Sequence, residues 1–470
     1  MPKTLIVGFL AIFFAFISCT KKDETPGNRL EKIREDGKIV AVTDYNSTNY
    51  FIYKGEPMGY QYELLQRFAD HMNVKLEIVV NKDLQESFEL LQNGEVDLLA
   101  FNLTVTEKRK EKMDFTIPYT QTRQVLVQRK PENWRSMSKQ EIEKNVIRNQ
   151  LELNGKVVYV RANSSYEQRL RNLNEEIGGG IKIIEKEDYS EEQLISLVER
   201  GEIDYTVCDE NIAKVNSTYY PDIDIETAIS FSQNVAWGVP QGADSLLASA
   251  NSWLINFKNT LDYALIYNKY FRNRKSALIW GSEYYTLSSG RISQYDDLIK
   301  KYSKEIDWDW RLLASLIYQE SRFNPKARSW AGAYGLMQLM PSVIQRFNVQ
   351  DKLSPEDNIR GGVEFIEWLE ERYEKRGIHD EQQLVKFILA SYNVGLGHIL
   401  DARRLAEKYD KDPDVWDNNV EEFILKKSDP EYYNDEVVYY GYARGSETYN
   451  YVRQILERYE HYLNLIDSDE

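Results

Sequence analysis

The chain has 470 residues, with 59 Lys and Arg against 75 Asp and Glu, a net charge of −16 and a pI of about 5. Binding a phosphate backbone needs a basic surface, and no dense Lys/Arg block offsets this acidity, so a nucleic-acid partner is excluded. Hydrophobic residues at 42% and charged residues at 29% exclude a disordered chain and an integral membrane bundle. At roughly 100–200 residues per domain, the length asks for two to four domains.

Taken in chain order, Lys3 precedes an unbroken apolar or glycine run from Leu5 to Ile17. Thirteen residues are too few for the roughly 20 that cross a bilayer as a helix, and residues 1–18 read as an export signal. The stretch Phe16-Ile17-Ser18-Cys19 resembles the lipobox of bacterial lipoproteins, although Phe16 departs from the usual Leu. The resemblance implies that Cys19 is lipidated, with residues 19–37 as a tether; the protein is expected at the outer membrane facing the periplasm, with the surface leaflet left open by Lys22-Asp23-Glu24, which is similar to a surface-export signal of some lipoproteins. An ordinary signal peptide ending in an incidental cysteine is the alternative. With Cys19 lipidated, Cys208 has no disulfide partner and reads as a buried small hydrophobe. The histidines, His71, His379, His398 and His461, lack ligand spacing, so neither a metal nor another cofactor is expected.

From Lys38 short apolar runs alternate with amphipathic stretches. Strands are expected at Ile39–Val42, Leu76–Val80, Val96–Ala100, Gly155–Val160 and Ile203–Val207, and helices at Tyr62–Met72, Leu84–Asn93 and Gln193–Arg200. This is βαβ grammar, and it predicts an α/β architecture built on parallel sheets. Two similar phrases, Asn93-Gly94-Glu95-Val96-Asp97 and Arg200-Gly201-Glu202-Ile203-Asp204, each close a helix with glycine and open a strand, which suggests two lobes built alike. Beyond Ile266 the strand signals fade. Helices are expected at Asp309–Glu320, from Ser354-Pro355 to Arg376, at Glu381–Ser391 and at Thr448–Leu463. The expected division is a bilobal module over 38–275, a linker over 276–290 and a mainly α-helical module over 291–470.

The stretch Leu103-Thr104-Val105-Thr106-Glu107-Lys108-Arg109, with Gly59-Tyr60-Gln61-Tyr62-Glu63 and Phe115-Thr116-Ile117-Pro118-Tyr119, is similar to the signatures of the family 3 extracellular solute-binding proteins. The resemblance implies two lobes of a periplasmic-binding-protein-like fold closing on an amino acid or a wall-derived peptide. Arg109 would take the ligand carboxylate, Asp209 on the other lobe its ammonium, and Ser164 and Ser165 would donate to the carboxylate. A guanidinium fork matches a carboxylate bidentately, which fits that role for Arg109. The polar stretch Pro131–Leu153 looks like an insertion near the lobe crossover that puts free hinge closure in doubt.

Glu320-Ser321-Arg322-Phe323-Asn324-Pro325, then Gly332-Ala333-Tyr334-Gly335-Leu336-Met337-Gln338-Leu339-Met340-Pro341, resembles the core motif of the soluble-lytic-transglycosylase family, which shares the lysozyme-like fold. Ala390-Ser391-Tyr392-Asn393-Val394-Gly395-Leu396-Gly397 and Glu447-Thr448-Tyr449-Asn450-Tyr451-Val452 agree with it in family order. Glu320 ends an apolar helix, so its carboxyl emerges from a poorly hydrated surface that raises its pKa and suits a general acid. Ordinary glycoside hydrolysis needs a second carboxylate, and none is placed by a motif. The resemblance implies instead that Glu320 first protonates the leaving sugar of a peptidoglycan strand. The same carboxyl then takes the proton of the muramic 6-hydroxyl, which closes a 1,6-anhydro ring.

By position, Gln338, Tyr392, Asn393 and Tyr451 would hold the glycan, Gly332 and Gly335 would let it approach, and Ser321 would position the glutamate. Met337 falls in the same substrate segment, although core packing is the preferred reading of its side chain. A hydrolytic lysozyme-like muramidase, and a binding lipoprotein with a wall-binding C-terminal module, remain alternatives.

Overall fold

A computed structural model describes residues 28–81, 83–187, 189–272 and 290–466. The export signal, Cys19 and nearly all of the 276–290 linker lie outside the described residues.

Two five-stranded sheets form the first module. One runs in the order Lys75–Val80, Lys38–Thr43, Leu98–Leu99, Gly238–Val239, Asp114–Phe115, and the other Lys182–Lys186, Val157–Arg161, Tyr205–Asp209, Gln124–Arg129, Ile223–Asp224. The repeated glycine phrases do mark equivalent points: Gly94 and Gly201 both take positive φ, 73° and 75°, after a helix that leads to a strand. The sheets are mixed rather than parallel. Gly238–Val239 runs antiparallel to its neighbours, and Gln124–Arg129 runs antiparallel to Tyr205–Asp209. The physical reason is the double crossing between lobes. The chain leaves the first lobe through Thr120–Thr122 and returns through the paired Gln233–Val235, so each sheet receives a strand travelling in the opposite sense. The insertion Pro131–Leu153 is fastened to the second lobe, by Arg148 to Asp224 at 2.6 Å and Trp134 to Asp222 at 2.8 Å, rather than across the crossover.

The second module is helical around one core that gathers Leu313, Leu316, Ile317, Phe387, Ile388, Ile399, Ile424 and Ile455. Its centre is the helix Trp310–Ser321, capped by the Asp309 carboxylate accepting from the Arg311 amide at 2.8 Å. The terminal helix Gly445–Leu465 packs along it.

The modules interlock. The hairpin Phe51–Tyr53/Glu56–Met58 of the first lobe sends Ile52 into the helical core, and the Tyr462 hydroxyl donates to the Gly55 carbonyl at 2.8 Å. Tyr318, two residues before Glu320, bonds Glu56. His461 sits between Tyr50 (2.7 Å) and Tyr62 (3.4 Å), and burial pushes its pKa down to about 3, so it is held neutral.

Candidate active site and interlobe cleft

Glu320 is the penultimate residue of the helix Trp310–Ser321, and the backbone turns there through two consecutive residues of positive φ, Arg322 (51°) and Phe323 (58°). That sharp exit leaves the carboxyl half-buried at the helix end. Desolvation pushes its pKa up to about 7, opposed by a hydrogen bond that the buried Tyr451 hydroxyl donates to Oε1. Among the described residues no second carboxylate contributes to that shift. Glu320 is therefore partly protonated near neutrality, while its ionised form has a donor waiting.

The motif segment around it is a tight scaffold. The Tyr392 hydroxyl donates to the Met337 carbonyl at 2.7 Å, and Asn393 Oδ1 accepts from the Thr448 hydroxyl at 2.8 Å, which joins the second and third motifs. Gln338, at φ 47°, folds its amide back onto the Gly335 carbonyl at 2.9 Å.

Local packing bears on three of the sequence expectations here. The Met337 side chain is fully buried and packs on Gly362, so it belongs to the core and only its backbone faces the site segment. The Ser321 hydroxyl donates to the Ile317 carbonyl at 3.2 Å, one helical turn back, instead of reaching Glu320. Gly335, at a φ of +80°, is held to glycine by packing as well, since a Cβ there would lie 2.2 Å from Asn358 Nδ2. Gly332, by contrast, has nothing within 4 Å of a would-be Cβ.

Asn358 itself escaped the sequence reading. Buried in the first turn of the helix Pro355–Glu374, it accepts from the Met337 amide at 2.7 Å and donates to the Tyr334 and Lys352 carbonyls, each at 3.0 Å. Its only sequence signal was its place just after a Ser-Pro-Glu-Asp helix start.

In the first module, Arg109 lies on the short helix Glu107–Lys110, where its Nη1 donates to the Thr104 carbonyl at 2.9 Å and burial holds its pKa below the usual range. Asp209 ends a strand of the other lobe. Its Oδ2 accepts from the Tyr166 hydroxyl at 3.0 Å, Oδ1 is buried without a hydrogen-bond partner, and burial pushes its pKa up to about 7. Ser164 caps the helix Ser165–Glu176, and Ser165 accepts from Gln124 at 3.2 Å.

Arg109, Ser164 and Ser165 line one cavity of about 30 Å³ with Asp44, Arg161 and Glu191, whereas Asp209 lies behind Tyr166, which lines it. A volume of that size holds about one water and no amino acid. What fills the cleft is the protein: Arg161 of the second lobe pairs with Asp44 of the first at 3.3 Å and with Glu191 at 3.3 Å, and Glu192 accepts from the Ser47 amide at 3.1 Å. These closing contacts were not anticipated.

Comparison with known proteins agrees with both halves. Residues 38–273 match the family of bacterial extracellular solute-binding proteins, family 3, and residues 297–415 match the transglycosylase SLT domain, so the protein is a two-module chain of those classes. A solved mutant of ArgBP from T. maritima aligns at 22% identity with a TM-score of 0.45, covering 52% of this chain and 100% of its own. A membrane-bound lytic murein transglycosylase F from Desulfosudis oleivorans is 35% identical over 92% of this chain and 91% of its own, and one from Aeromonas salmonicida is 33% identical over 93% and 84%. The chain belongs to the membrane-bound lytic murein transglycosylase F family.

Proposed function

We propose that this chain is a peptidoglycan lytic transglycosylase, a lyase that cleaves the β-1,4 bond between MurNAc and GlcNAc without water. The carrying observation is Glu320: a single half-buried carboxyl with its pKa pushed up to about 7, one tyrosine donor and no second carboxylate acting on it among the described residues. Protonated, it gives its proton to the glycosidic oxygen as the C1–O bond breaks, and the substrate's N-acetyl group stabilises the cation at C1. As carboxylate, held by Tyr451, it takes the proton of the C6 hydroxyl, whose oxygen closes on C1. The carboxyl ends protonated as it began, and no water is consumed. Tyr392, Asn393 and Gln338 line the approach.

The first module is a regulatory binding unit for an amino acid or wall-derived peptide, gripped by Arg109 and Asp209 with Ser164 and Ser165. A ligand enters by displacing the Asp44–Arg161 pair. The chain is held at the outer membrane, facing the periplasm, by lipid on Cys19.

Mass spectrometry of products from purified sacculi tests the chemistry. Wild-type protein yields muropeptides ending in 1,6-anhydroMurNAc. Glu320→Gln, which keeps the shape and removes the titrating proton, loses roughly 10²–10⁴-fold in rate. Ordinary reducing ends would instead identify a hydrolase.

A further inference from the structure

Between the short helix Pro430–Tyr433 and the terminal helix runs an irregular segment, residues 434–444, that carries exposed aromatic rings. Tyr439 is 75% exposed, Tyr440 59% and Tyr442 55%. Rings this open usually swing freely, yet each is held from behind. The Arg404 guanidinium lies 4.3 Å from the centre of the Tyr439 ring, and Tyr442 meets Tyr433 edge-on at 5.8 Å. Tyr440 rests so closely on Gly397 that a Cβ there would come within 2.5 Å of it.

Beneath the segment lies a buried ion pair, Asp401 with Lys427 at 2.5 Å, neither side chain reaching solvent. Such a pair contributes little net stability, because desolvating two charges offsets their attraction. Its placement gives it another use. The Asp401 carboxylate accepts from the backbone amides of Tyr439 and Tyr440, each at 2.9 Å, and Arg404 bonds both Asp401 and the Val437 carbonyl. A loop without regular structure is thereby fixed at two successive amides, with its tyrosines facing outward.

The fixed loop runs directly into the terminal helix Gly445–Leu465, which carries Thr448 and the Glu320 partner Tyr451. Gly397, under Tyr440, ends the motif that contains Asn393, bonded to Thr448 of that helix, and Tyr392, which feels the Glu320 charge.

We propose that Tyr439, Tyr440 and Tyr442 form a glycan-binding shelf that stacks on pyranose rings of the strand away from the bond being cut. This deepens, and rests on, the reading of the chain as a transglycosylase. A pyranose offers C–H groups on its face and hydroxyls on its rim, and a half-exposed tyrosine offers a flat apolar face with a polar tip, so the two surfaces match. Rings already fixed lose little entropy when the sugar arrives, and contacts remote from the reacting atoms favour long strands over short ones.

The test uses the full chain and compares kcat/KM on long, unfractionated glycan strands with that on the (GlcNAc-MurNAc)₂ tetrasaccharide. For Tyr439→Ala/Tyr442→Ala and for Tyr440→Ala, the long-to-short ratio falls about three- to tenfold per ring, through KM on the long substrate. Tyr439→Trp, which keeps a stacking face and discards the hydroxyl, retains the wild-type ratio. An active wild type whose ratio is unmoved by the alanine variants, or variants that lose activity equally on both substrates, overturns the shelf alone. A wild type inactive on both substrates overturns the transglycosylase reading along with it.

Discussion

The two clefts share an electrostatic signature and differ in what surrounds it. Glu320 and Asp209 are each carboxyls pushed up to about 7 by burial, and each accepts a hydrogen bond from a tyrosine, Tyr451 or Tyr166. Glu320 is half-buried, and among the described residues the Tyr451 hydroxyl alone opposes its desolvation. Asp209 is 1% exposed and feels the Arg109 guanidinium, and its partner Tyr166 lines the small cavity that the paired Arg161 and Asp44 also line. A raised pKa therefore does not by itself mark a catalytic acid. Access for a substrate, and the absence of a neighbouring cation that would compensate the charge, distinguish the proton donor from the binding group.

Breaking the seal is the strongest way to separate them. Arg161→Ala leaves Asp44 and Glu191 buried and facing each other without their shared cation, and costs the first module about 3–5 kcal/mol. Calorimetry registers this as a lower melting temperature for that module, and an unchanged thermogram would mean that the lobes are not closed by this pair in solution.

A smaller effect follows from the sign of the Glu320 shift. Its native pKa lies above the ordinary glutamate value of 4.5, so the native state binds its proton more tightly than the unfolded chain does. Stability from this group is complete below about pH 4.5 and is lost as pH rises towards 7. Glu320→Gln removes that penalty, so the variant is more stable than wild type by about 1–3 kcal/mol at pH 8. Urea melts at the two pH values should show the difference shrinking to nothing near pH 4. A variant less stable at pH 8 would mean that the carboxylate is well solvated or paired.

The smallest effect belongs to Tyr451. Its hydroxyl lowers the Glu320 pKa, so Tyr451→Phe lets that pKa climb and moves the alkaline limb of the kcat/KM profile to higher pH. Losing a donor to the developing carboxylate also costs about 1.5 kcal/mol, roughly tenfold in rate. A limb that stays in place would assign the profile to another group.

Legibility in the sequence followed locality. Helices and motif residues governed by neighbours within a turn were readable: Pro355–Glu374 opens at its Ser354 cap, and Glu320 lies at the end of its apolar helix. Gln124–Arg129 was not read, although its Val-Leu-Val run is fully buried, because its partners Tyr205–Asp209 and Ile223–Asp224 lie far along the chain. The direction of the Ser321 side chain was misread, where the backbone leaves its helix in a tight turn. The backbone takes positive φ at Arg322, Phe323 and Gln338, and a motif string carries no dihedral angles. Arg109 and Asp209 were placed at the interlobe cleft by resemblance, but the Arg161–Asp44 pair between them depends on residues 117 positions apart.

The Tyr462–Gly55 bond spans 407 positions of sequence, and the helix that carries Tyr462 also carries Tyr451 and His461. Assembly of the catalytic centre is thus deferred to the last stretch of the polypeptide. A chain interrupted before residue 445 lacks the donor to Glu320 and the plug over the Tyr50–Tyr62 face, and leaves Ile52 with an incomplete core around it. For a protein that cuts the cell's own wall, that order of events works as a safeguard: an unfinished or clipped product is both disarmed and marked for destruction by the apolar surface it exposes.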